Sequence, residues 1–310
     1  MPIIEVEHLA KRYGDHVALR DVTFSVEEGE VFGILGRNGA GKTTTVECLE
    51  GLRRADSGRI SVLGMNPAEH PAALRADLGV QLQESALPDN MKVWEALDLY
   101  SSFHAHPADW KSLLEEWGLA EKRNARFGKL SGGQKQRLFI ALALVGNPKV
   151  AILDELTTGL DPQARRDTWH LIERIRDRGV TVLLVTHFMD EAERLCDRVA
   201  VFHDGAVAAV DTPAAIVARA GGDQRVSFTP SAPVGDDTLL ALPGVAGVDR
   251  KGESVSVTGS GDLLQVLTTA LARLDVVPTG LQVHQAGLED AFLAMTGAAP
   301  APTQTEEAAR

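Results

Sequence analysis

The 310-residue sequence lacks any long apolar run. Its longest, Leu138 to Val145, is eight residues, whereas a bilayer-spanning helix needs about 20. No membrane span is expected. The start, MPIIEVEHLAKRYG, lacks a basic segment followed by an apolar one, so it does not read as a secretory leader. Cysteine is scarce: Cys48 and Cys196 stand far apart and in no CxxC pair. That excludes a disulfide framework and suits a reducing compartment. Basic charge is short as well. Thirty-one Lys and Arg against 43 Asp and Glu leave a net charge of −12, which argues against a nucleic-acid partner. Nine histidines are scattered, and His104 and His106 are two apart. That spacing does not place two ligands on one helix face, so no zinc site is expected.

What is present reads as two domains. Residues 1–218 alternate strand and helix patterns. Val22, Phe24 and Val26 alternate with polar neighbours, as in a half-buried strand. Val31–Leu35, Val150–Leu153 and Val180–Thr186 are short apolar runs that suit strands covered on both faces. Helical spacing is predicted over about 42–52, 93–104, 109–117, 133–145 and 162–178. The order implies an α/β fold with a mostly parallel central sheet. Asp204-Gly205 marks a hairpin, and Thr212-Pro213 opens a last short helix. Residues 219–297 then read as a small α+β domain. Strands are predicted at 225–229 and 253–258, helices at 262–274 and 288–295, and an extended piece at 276–283. From Gly222 to Arg310 there are 11 acidic and 5 basic residues. Residues 298–310 lack apolar periodicity and are predicted to be disordered.

The chemistry starts at Gly36-Arg37-Asn38-Gly39-Ala40-Gly41-Lys42-Thr43-Thr44. This G-x4-G-K-T spacing follows a predicted buried strand and opens a predicted helix. Glycines let the backbone curl so that successive N–H groups point at phosphate oxygens. The helix aims its positive end at the same place. Lys42 supplies a compact cation for the terminal phosphates, and the Thr43 hydroxyl suits Mg²⁺. Asp154 and Glu155 end the second buried strand, where open α/β sheets bind ligands. Asp154 can hold Mg²⁺ through water, and Glu155 can polarise an attacking water. These residues alone leave kinases, GTPases, motors and transport ATPases open.

Leu130-Ser131-Gly132-Gly133-Gln134 narrows the choice. Ser131 reads as the N-cap of a helix. Its hydroxyl, the N–H groups of Gly132 and Gly133, and the helix dipole make a second anion cradle. Two cradles per chain suggest a head-to-tail dimer, each copy closing over nucleotide held by the other. At this point residues 1–218 resemble the ATP-binding subunit of an ABC transporter, with a helical subdomain over about 84–147. The resemblance implies an ATPase that uses ATP and Mg²⁺ and forms a homodimer. It also implies a separate integral membrane permease and a place at the cytoplasmic face of the membrane. Tyr13 matches the aromatic that stacks on adenine. Gln83 matches the glutamine that senses Mg²⁺ and faces the permease; its flanking pattern fits better than that of Gln81. Asp161, in Gly159-Leu160-Asp161, matches the loop through which subunits communicate. His187 matches the histidine at the γ-phosphate. With Lys42 and Glu155, His187 completes the implied catalytic set.

One departure is Leu156, where the family usually has proline; leucine is expected to loosen that turn. The segment Leu288–Gly297, with EGLRRADSGRISVLGMNP, is similar to ATPases of the daunorubicin-resistance (ABC-2) type of exporter. That implies export of a drug-like or other hydrophobic compound, with multidrug and antibiotic resistance as the setting. A soluble ATPase of this superfamily acting in DNA repair or translation, and a regulatory clamp that does not hydrolyse ATP, are the alternatives. The short 89-residue separation of Lys42 and Ser131, without sustained heptads, opposes a repair protein. A single cassette opposes a translation factor.

Overall fold

A computed structural model describes residues 2–81, 86–220 and 224–297. Gln83 and the tail 298–310 lie outside the described residues. The chain divides into two compact units, Met1–Pro213 and Ala214–Arg310.

In chain order the first unit holds β1 (Ile4–Tyr13), β2 (His16–Val26), β3 (Val31–Leu35), α1 (Lys42–Leu49), β4 (Ser57–Val62), α2 (Pro71–Asp77), β5 (Leu78–Gln81), α3 (Val93–Ser101), α4 (Trp110–Glu116) and α5 (Gly132–Leu144). It continues through β6 (Val150–Asp154), α6 (Pro162–Asp177), β7 (Thr181–Thr186), α7 (Met189–Leu195), β8 (Arg198–His203) and β9 (Ala206–Asp211). Nine strands form one sheet in the order β4-β1-β2-β9-β8-β3-β7-β6-β5. Strands β3, β5, β6, β7 and β8 pair in parallel, while β1 pairs antiparallel with β2 and β4. Every residue of β3, β6 and β7 is buried. Helices cover both faces of such a sheet, so alternation is replaced by unbroken apolar runs. Helix α6 buries Thr168, Leu171, Ile172 and Ile175, one stripe at helical spacing.

The consequence for function is positional. Strands β3, β6 and β7 run side by side in parallel, so their carboxyl ends come together. The loop 36–41 leaves β3, Asp154 ends β6, and His187 follows β7. Sequence-distant groups thus meet at one edge, the place where open α/β sheets bind ligands.

Helix α8 (Pro213–Arg219) leads into the second unit, made of β10 (Gln224–Pro230), α9 (Asp236–Leu240), β11 (Val245–Lys251), β12 (Ser254–Gly259), α10 (Leu263–Arg273), β13 (Pro278–Gln285) and α11 (Leu288–Thr296). Four antiparallel strands order as β11-β12-β10-β13. Val226, Phe228, Val255 and Val257 from the sheet form a core with Leu263, Leu267 and Leu271 of α10. Period two on the strands and period four on the helix make this a two-layer α+β unit.

Candidate functional site

The loop after β3 curls because its glycines occupy positive φ: Gly39 at 83° and Gly41 at 101°. At Gly41 an added Cβ would lie 2.6 Å from Leu19 Cδ2 and 2.8 Å from the Ala18 carbonyl oxygen. Both conformation and space therefore demand glycine. Gly41 is the N-cap of α1 and offers no side-chain cap. The first N–H groups of the helix thus have no competing side-chain acceptor from that residue.

Lys42 opens α1 and is almost fully buried, at 5% exposure. Its Nζ donates to the carbonyls of Gly36 at 2.7 Å and Arg37 at 3.2 Å. Glu155 Oε1 lies 3.9 Å from the same ammonium and 3.3 Å from His187 Nδ1. Thr158 Oγ1 donates to Glu155 Oε2 at 3.4 Å. The three side chains of the implied catalytic set therefore touch in sequence, Lys42 to Glu155 to His187. Burial lowers the Lys42 pKa, and Glu155 and Asp154 oppose that fall. Burial raises Asp154 to about 6, helped by Glu155 and opposed by Lys42. Two carboxyls and one ammonium at the end of a dry strand form a charge-poised set.

A cleft of about 330 Å³ runs from Lys42 and Glu155 to the end of β1; Asp154 and His187 lie behind Glu155 and do not line it. Of the residues selected from the sequence, Tyr13, Asn38, Gly39, Gly41, Lys42, Thr43, Thr44 and Glu155 line the cleft. His16 and Ala18 line it too; sequence reasoning did not single them out. The signal was there: His16 pairs with Tyr13 across the turn between β1 and β2. The donor set fits ATP and Mg²⁺: a positive loop for phosphates, and hard oxygens from Thr43 and Asp154 for the metal.

The Ser131 segment does not line this cleft. Ser131 caps α5: its Oγ accepts from Gln134 N at 3.4 Å, and Gln134 Oε1 accepts from Ser131 N at 3.0 Å. Ser131 and Gly132 are exposed. Asp161 caps α6, accepting from Gln163 N and Ala164 N at 2.9 Å. The starts of these helices are neighbours: a Cβ on Gly132 would lie 4.0 Å from Leu160, and one on Gly133 would lie 3.8 Å from Ala164. One copy thus gathers its sequence-selected residues into two separate sets. Leu156 is buried at 1% exposure. Its turn is tied by Glu155 N to Val185 O at 2.9 Å and Thr158 N to Glu155 O at 3.3 Å.

Residues 19–158 match the family model described as ABC transporter. The Nod factor export ATP-binding protein I of Burkholderia orbicola is 38% identical over 303 residues, covering 95% of this chain and 97% of that protein. Its namesake from Ralstonia nicotianae is 37% identical, covering 96% and 94%. Among solved structures, an ATP binding subunit of an ABC transporter superposes with a TM-score of 0.64 at 31% identity, over 70% of this chain and 92% of its own. The cbiO1 protein from Clostridium perfringens, part of the ABC transporter complex cbiONQ, gives 0.65 at 30% identity, over 70% and 91%. No helix among the described residues is long and apolar enough to cross a membrane.

Proposed function

The chain belongs to the ABC transporter family as an ATP-binding subunit, an ATPase coupled to transport, and from that premise we propose that it powers export of a hydrophobic, drug-like compound through a separate permease. The export direction is supported by relatives that are named for Nod factor export. The likeness of Leu288–Gly297 to daunorubicin-resistance exporters supports a hydrophobic cargo and a role in multidrug or antibiotic resistance. Cargo choice falls to the permease.

The observation that carries the catalytic reading is the contact of Glu155 with both Lys42 and His187. The loop Gly36–Thr44 binds the phosphates. Tyr13 receives adenine. Thr43, Asp154 and Gln83 hold Mg²⁺, which neutralises charge on the phosphates when bound. Glu155 orients and deprotonates the attacking water. His187 and Lys42 fix the γ-phosphate as charge shifts to the leaving group. Ser131–Gln134 and Asp161 of a second copy close the site, and Gln83 with residues 87–91 meets the permease at the cytoplasmic face of the membrane.

Glu155→Gln tests the core of this. It removes the base but keeps the shape, so ATP binding is retained while turnover falls at least about 100-fold and an ATP-bound dimer accumulates. Turnover by a coupled phosphate assay and mass by light scattering read the two outcomes. Wild-type turnover in the variant refutes the assigned base.

A further inference from the structure

We propose that Arg53 is a base-recognition residue of the nucleotide site: it backs the Tyr13 ring and holds it as a platform for a purine. This rests on the reading of Tyr13 as the adenine-stacking aromatic.

Tyr13 ends β1 and is 37% exposed. Its ring lines the nucleotide cleft. The Arg53 guanidinium carbon stands 5.0 Å from the ring centroid, and Lys11 Nζ stands 5.7 Å from it. Neither cation is among the residues that line the cleft, while Tyr13 is, so the part of the ring that borders the cleft is open to a ligand.

Arg53 is held there by the helix that carries the phosphate loop. After the end of α1 the chain turns at Gly51, φ 69°. The backbone N–H groups of Leu52 and Arg53 both donate to the Glu47 carbonyl, at 2.9 and 3.0 Å. The side chains repeat the tie: Arg53 Nε donates to Glu47 Oε2 at 2.5 Å and Nη2 to Oε1 at 3.2 Å. A two-point guanidinium–carboxylate fork fixes orientation as well as distance. Lys11 is anchored separately, on Asp56 at 2.7 Å. α1 thus begins at the triphosphate cradle and ends by bracing the base platform. The span between the two ends is set by one rigid element.

Two effects follow. A cation against one side of an aromatic ring draws on its π density and makes the other side a better partner for an electron-rich purine. A ring already held in place also has less freedom to lose when the base arrives. Both effects act on the base and neither acts on the phosphates. The larger stacking surface of a purine gains more than that of a pyrimidine, so Arg53 also sharpens selection for purine nucleotides.

The test uses the full chain, with Arg53→Ala, Tyr13→Ala and the double variant. Two ligands are measured: MgATP as substrate, and inorganic tripolyphosphate as a competitor that has phosphates and no base. Arg53→Ala is expected to raise KM for ATP about twofold to fivefold at unchanged kcat. The inhibition constant of tripolyphosphate stays at the wild-type value. The double variant is no worse than Tyr13→Ala, because Arg53 acts through the ring. The proposal is overturned if Arg53→Ala weakens ATP and tripolyphosphate equally, since that marks a disturbed α1. It is also overturned if the two losses simply add, or if Tyr13→Ala weakens ATP binding and Arg53→Ala does not. A Tyr13→Ala protein with the wild-type KM overturns the stacking reading itself, a separate result from the failure of Arg53 alone.

Discussion

At the scale of single residues, the sequence announces groups that meet a ligand and hides groups that meet only the protein. Lys42 and Glu155 were legible because their neighbours form recognisable spacings. Glu50 was not, because nothing in ECLEGL separates a buried acid from a solvated one. Yet Glu50 is 4% exposed, and neither carboxylate oxygen has a hydrogen-bond partner. Burial pushes its pKa up to about 8, with Asp154 and Glu47 adding to the rise. The sign of the stability effect follows. Between the ordinary value of 4.5 and about 8, the folded chain keeps a proton that the unfolded chain has released. Stability from this group is therefore fully present below pH 4.5 and is lost as pH rises through about 8. Asp154, raised to about 6, adds a loss of the same sign at lower pH, and that loss is common to wild type and variant. Glu50→Gln fixes a neutral side chain of the same shape. Its Tm should match wild type near pH 5 and exceed it by at least about 3 °C at pH 8.5. Thermal melts across this range check it, and a variant less stable than wild type at pH 8.5 contradicts the buried-acid account.

At the scale of elements, legibility tracked regularity. The runs that became β3, β6 and β7 stood out because burial on both faces leaves them mostly apolar, with Asp154, Thr181 and Thr186 confined to strand ends. β1, which pairs with β2 and β4, did not. β1 carries register shifts between Val6 and Leu9 and between Leu9 and Lys11, and His8 sits at φ 51°. Each irregularity shifts the alternation by a residue, so no period-two signal survives. β5 has four residues, too few for a period, and half-exposed β11 has a shift between Val245 and Gly247. Helix α5 is the opposite case: its start was readable from Ser131 because capping is local. The same locality makes its two roles separable. The Ser131–Gln134 cap is worth about 1 kcal/mol. If capping were all that Ser131 did, Ser131→Ala would lower Tm by about 2–4 °C and leave turnover intact. The proposed second-copy role predicts at least a tenfold loss of kcat beyond that small loss of stability. Melting and turnover measured on one preparation separate the two.

At the scale of the whole molecule, one copy leaves its chemistry divided. The cleft holds Lys42 and Glu155 but none of residues 131–134, while Ser131 and Gly132 face solvent. A single chain has no physical reason to keep a capped, solvent-facing anion cradle apart from its own nucleotide. A two-fold assembly supplies one, because each cradle then serves the other copy. The two cradles of the sequence suggest that arrangement, and a lone subunit does not display it, since the proposed site would be made of surfaces from separate chains. Mutation tests it. Lys42→Ala spoils the loop side and Ser131→Arg the cradle side, so either homodimer has two broken sites. A mixed dimer concentrates both lesions in one site and leaves the other whole. Random pairing of equal amounts makes half of the dimers mixed, and each mixed dimer carries one sound site of two. Turnover should therefore recover to about one quarter of wild type when sites act independently, and to a smaller gain when they are coupled. Rates are compared before and after mixing, with permease present and absent. A mixture no faster than the sum of its parts, in a solution that light scattering shows to be monomeric under saturating MgATP, would exclude the shared site.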